Sequence, residues 1–76
     1  MAEFKVMYFI EGSERDFLWK TFQGDDDREA TRTAAAFFFS GPEEFVVIDK
    51  EDHKLILPRR AIRAVQVYPA GGESPA

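Results

Sequence analysis

Read for the spacing of apolar positions, the chain divides into five short strand-like segments, some alternating and some continuously apolar, and one segment of helical period. From Phe4 to Glu11, Phe4, Val6, Tyr8 and Ile10 take one face, and Lys5, Met7, Phe9 and Glu11 take the other. That period of two predicts a strand. Its second face is not cleanly polar, because Met7 and Phe9 also want cover. Glu11-Gly12-Ser13-Glu14-Arg15 reads as a turn with Gly12 free to adopt positive φ. A second strand follows at Asp16 to Phe22, with Phe17, Trp19 and Thr21 on one face and Leu18, Lys20 and Phe22 on the other.

Asp25-Asp26-Asp27 then opens a helix. Aspartate at an N-terminus accepts backbone N–H bonds and suits the positive end of the helix dipole. Asp26 with Glu29 has the spacing of a capping box. Ser40-Gly41-Pro42 ends the helix after Phe39. Its core stripe is Ala30, Ala34, Phe37 and Phe38, and Arg28, Arg32, Ala35 and Phe39 fall on the opposite side. The phenylalanines and Thr33 also suit a strand over Thr33 to Phe39; the stop signals at both ends and three consecutive alanines decide for helix. Three adjacent rings span more than half a helix circumference, so Phe39 is the one left outside the core.

Phe45 to Asp49 predicts a third strand, Leu55 to Leu57 a fourth that Pro58 interrupts, and Ile62 to Tyr68 a fifth with Val65 and Val67 inward. The order is β-β-α-β-β-β, an α+β fold: an antiparallel sheet with one helix across one face. Residues 1–68 form the single domain, and the tail 69–76, rich in Pro and Gly, is expected to be disordered. One helix covers one side of a sheet. The other side carries Met7 and Phe9, with Leu18, Phe22 and Val46 as further candidates. Two copies packed through their sheets, or a sheet curled into a small barrel, would cover it.

Composition narrows the chemistry. With 76 residues the chain is near the lower limit for a self-sufficient core, and small domains add disulfides, metals or oligomerisation. Cysteine is absent and there is one histidine, His53, so thiolate sites are excluded and zinc is disfavoured. No cofactor is expected. Eight phenylalanines and self-association remain as sources of stability. No secretory signal or apolar run of membrane length is present, which predicts a cytoplasmic protein without a membrane partner. The net charge of −4 argues against general nucleic-acid binding.

No catalytic pattern emerges, and a non-enzyme is expected. His53 lies among Asp49, Glu51 and Asp52, as a wet hairpin turn would. Asp25-Asp26-Asp27 lacks the alternating ligands and distal Glu of a calcium loop. There is no phosphate loop and no nucleophile elbow. Tyr8, Phe17, Trp19 and Phe22 beside Lys5 and Lys20 offer stacking surfaces for bases, but the aromatics are more simply a core.

The local basic segment Pro58-Arg59-Arg60-Ala61-Ile62-Arg63 makes Arg59, Arg60 and Arg63 the candidates for an anionic partner. An apolar–Pro pair, a short turn and Ala61-Ile62-x-x-Val65-x-Val67 also resemble the closing strands of Sm-like RNA-binding barrels. The resemblance covers Lys54 to Tyr68. Sm-like domains place their helix before the first strand, so no functional residue is carried over.

The expectation is therefore a small interaction or regulatory module that self-associates as a homodimer and also has scope for a protein partner, with Phe39, Met7, Phe9 and Phe22 as contact residues. The alternative is a small nucleic-acid-binding domain using Arg59, Arg60 and Arg63.

Overall fold

Gly12, at φ +86°, closes the first hairpin: the Ser13 N–H donates to the Ile10 carbonyl at 3.0 Å across a tight turn. The computed structural model describes residues 2–70. The elements are β1 (Ala2–Ile10), β2 (Asp16–Gly24), α1 (Arg28–Phe39), β3 (Phe45–Asp49), β4 (Lys54–Pro58), a 3₁₀ turn (Arg59–Ala61) and β5 (Ile62–Pro69). The order is the expected one. The strands all pair antiparallel, but in two sheets rather than one: β2-β1-β5 and β3-β4.

The first and last strands meet because their apolar rows match. Val6 opposes Val67 and Tyr8 opposes Val65, which brings four apolar side chains onto one face. Pairing continues past the expected end, since Phe4 opposes Pro69 and the Ala70 N–H donates to the Glu3 carbonyl at 2.7 Å. Pro69 and Ala70 thus belong to the fold rather than to a tail. The remainder of that expected tail, 71–76, lies outside the described residues.

Two bulges set which side chains face where. Val6 opposes Lys20 while Met7 opposes Leu18, leaving Trp19 as the extra residue on β2. Beyond it the alternation restarts in the other phase. Phe22 opposes Phe4 and packs toward the helix, and Thr21 opposes Lys5 on the other face. The unbroken alternation read from the sequence had placed both residues the opposite way. The second bulge, between Phe9 and Ile10, leaves Arg63 unpaired in β5.

The helix begins one residue later than a capping box at Asp26 and Glu29 would put it. Asp27 is the N-cap, and the Asp26 carboxylate accepts from the Arg28 N–H at 3.0 Å, as in an Asx turn. Ala30, Ala34 and Phe38 are buried, as the stripe predicts. The two alanines let the helix approach Val6, with Phe4, Phe22 and Val67 around them. At the other end Phe38 joins Tyr8, Val46, Ile48 and Ile62, so one core binds the helix to both sheets. Val46 is therefore a core residue and not part of an uncovered face.

Around Phe38 the rings form a cluster. Phe37 stacks on Trp19 with centroids 4.6 Å apart, and Phe38 meets Phe37 edge-on at 4.9 Å. Trp19 and Tyr8 lie 5.1 and 5.3 Å from Phe38. Each such pair contributes roughly 0.5–1.5 kcal/mol beyond simple burial.

Burial also raises the pKa of the Tyr8 phenol above its ordinary value. The folded state then holds that proton more tightly than the unfolded chain. The resulting stabilisation is fully present below about pH 10, the unfolded value, and is lost as pH rises through the folded value. Thermal midpoints should therefore fall above about pH 10 in the natural chain. The Tyr8→Phe variant should show a shallower decline; equal slopes would contradict the assignment.

Candidate interaction surfaces

In β2-β1-β5 the residues directly opposite one another share a face, so the side turned away from α1 can be read from the register. Across it run Thr21, Lys5 and Tyr68, then Leu18, Met7 and Gln66, then Asp16, Phe9 and Ala64. Leu18 is 46% exposed, and Met7 and Phe9 are half-buried among their neighbours. None of the three belongs to either buried cluster. Arg63 lies over the Phe9 ring at 5.4 Å, a cation–π contact. The Tyr68 hydroxyl donates to the Gln66 side chain. The sequence reading placed Met7, Phe9 and Leu18 on this face, and they are found there; Phe22 has left it.

Phe39 stands apart on the outer side of the helix end and is 53% exposed. A third apolar surface was not foreseen. The outer side of β3-β4 pairs Phe45 with Pro58 and Val47 with Ile56, and Ile56 is 63% exposed. The signal was present, since in Leu55-Ile56-Leu57 one side chain of a strand must turn away from its two neighbours. Beside this hairpin an open groove of about 450 Å³ is lined by Ala36, Phe37, Phe45 and Arg59. A smaller one of about 180 Å³ lies between β2 and β3, with Trp19 and Phe37 on its walls and Lys20 and Asp49 beside them.

The three arginines of the basic segment do not converge. Arg59 turns inward: Nε donates to the Glu43 carbonyl at 2.7 Å and Nη1 to the Phe37 carbonyl at 2.5 Å. Its own backbone N–H donates to the Glu44 carbonyl at 2.8 Å. The guanidinium thus satisfies one of the last four helix carbonyls at the negative end of the dipole. Gly41, at φ +128°, passes so close that a Cβ there would stand 2.5 Å from Nη2 of Arg59. The expected anion contact Arg59 is thus engaged by main-chain carbonyls of its own fold. Arg63 faces the opposite side of the sheet, on Phe9, and Arg60 is exposed at the 3₁₀ turn.

The polar turn between β3 and β4 is held by exposed pairs. Lys54 donates to Asp49 at 2.6 Å, and His53 Nδ1 lies 2.5 Å from Asp52. The Lys54 hydrogen bond, with its charge, holds the Asp49 carboxyl below the usual carboxylate range. Among the described residues no group of three His, Cys, Asp or Glu is placed to share a metal ion, and no helix is long and apolar enough to cross a membrane. The chain matches no protein-family model, no curated protein and no solved structure.

Proposed function

We propose that this chain is a small non-enzymatic interaction module that self-associates as a homodimer through the sheet face turned away from α1. The observation that supports it is the row Leu18, Met7 and Phe9, apolar side chains on a face that contributes to neither buried cluster. Contiguous apolar patches rimmed by polar residues often mark interaction sites. The face is small. Three strands about 4.8 Å apart and about seven residues long cover roughly 14 by 23 Å. A footprint well below that of standard interfaces is that of a weak, transient dimer, for which tens to hundreds of micromolar is the range to search.

Sedimentation velocity from about 5 µM to about 1 mM tests the reading over that affinity range. A weight-average sedimentation coefficient rising from the monomer toward the dimer value is expected. A constant monomer value across the whole range would end the proposal. The nucleic-acid alternative has less support, since Arg59 is engaged internally and Arg63 lies on the other side of the sheet from it.

A further inference from the structure

Two charges flank Phe9 on the uncovered face, one on each side. Asp16 is its partner on β2, and Arg63, the bulged residue of β5, reaches over its ring from the opposite side. Among the described residues neither makes an ion pair within its own chain. Strands in a sheet lie about 4.8 Å apart, so the two elements carrying these charges are separated by the full width of two strand spacings, with β1 between them.

Resting on the self-association proposed above, we infer that the partner is a second copy related by a two-fold axis running along β1, so that Asp16 of each copy meets Arg63 of the other. Such an axis keeps each residue at its own level along β1 and exchanges left for right. It stacks β2 over the partner's β5. Met7 meets Met7, Phe9 meets Phe9, and both Asp16–Arg63 pairs form across the interface. Packed sheets lie about 10 Å apart, a gap that a long arginine and a short aspartate together can close.

The other face-to-face two-fold, crossing the strands at Met7, is worse. It reverses β1 and puts Lys5 over the partner's Phe9, between that copy's Asp16 and Arg63, so Lys5 meets one opposite and one like charge. Asp16 and Arg63 themselves face the neutral Thr21 and Tyr68 and gain no direct pair. The axis along β1 has two like-charge contacts of its own, Lys5 against Lys5 and Glu3 against Glu3. The two contacts lie two residues apart, so Lys5 of each copy is diagonal to Glu3 of the other and the opposite charges offset one another. Self-complementary charge therefore selects the first axis, in the way that interface electrostatics commonly fix register.

The test uses charge-swapped full chains. In Asp16→Arg alone, both cross-pairs become Arg–Arg, and in Arg63→Asp alone, both become Asp–Asp. Each variant should dimerise at least about tenfold more weakly than the natural chain. An equimolar mixture of the two restores both pairs in the heterodimer only, and should recover affinity to within about threefold. The double variant Asp16→Arg/Arg63→Asp should recover it as a homodimer. Sedimentation with one variant fluorescently labelled reads all four, and circular dichroism confirms that each is folded. A natural chain that dimerises while the mixture and double variant stay as weak as the single variants would overturn this axis but not self-association. A natural chain that stays monomeric to about 1 mM would overturn both.

Discussion

Replacing Phe38 by alanine is expected to cost about 3–5 kcal/mol, the usual loss for a fully buried aromatic. Phe38 is the ring on which the architecture converges. It is completely buried, it belongs to the helix, and it touches Tyr8 of one sheet and the Val46 and Ile48 cluster of the other. Domains of this length have roughly 4–11 kcal/mol in total, so the variant should lie near the edge of folding. The neighbouring rings calibrate the claim. Phe37 is half-buried and stacked on Trp19, so Phe37→Ala should cost less, about 2 kcal/mol. Phe39→Ala should change stability by less than about 1 kcal/mol, because its ring lies outside both clusters. Chemical denaturation of the three variants in dilute, monomeric solution reads the order directly. Equal losses at all three positions would contradict the helix orientation.

The second large effect concerns Arg59, whose guanidinium donates to main-chain carbonyls of its own chain. Arg59→Ala should destabilise by about 1.5–3 kcal/mol, because the Phe37 and Glu43 carbonyls lose a charged donor. Arg59→Lys should recover only part of this, since an ammonium does not reproduce the fixed fork that spans both carbonyls. Gly41 provides the internal control. Gly41→Ala in the natural background adds a Cβ 2.5 Å from Nη2 at a positive φ. In the Arg59→Ala background the collision is gone and only the backbone cost remains. The double-mutant cycle should therefore show coupling of at least about 0.5 kcal/mol, with the second substitution cheaper than when made alone. Strict additivity would show that the close approach carries no energy.

Element order, helix limits and the helix core stripe follow from the apolar spacing, and so does the uncovered row of Met7 and Phe9. These are local properties, fixed by 2.0 and 3.6 periods and by the Gly and Asp at element ends. What the spacing did not carry was long-range. Pairing of β1 with β5 depends on two segments more than fifty residues apart, and nothing in either one names the other. The Trp19 bulge moved Phe22 to the helix side because an extra residue inverts every later side chain on the strand. Arg59 read as surface charge because its partners are main-chain carbonyls, which have no sequence signature. Ile56 was legible in principle, as the middle member of three consecutive apolar strand residues.

The central claim is that the face of β2-β1-β5 away from the helix has a second copy of the chain as its partner. The most direct measurement is a dilution series of amide and methyl NMR spectra, from about 1 mM to about 20 µM, across the affinity range that a small interface implies. The account predicts concentration-dependent shifts concentrated at Met7, Phe9, Leu18 and Arg63, with Ile56 and Phe45 unmoved. Spectra that are identical at every concentration, or that move only at the β3-β4 hairpin, would contradict it.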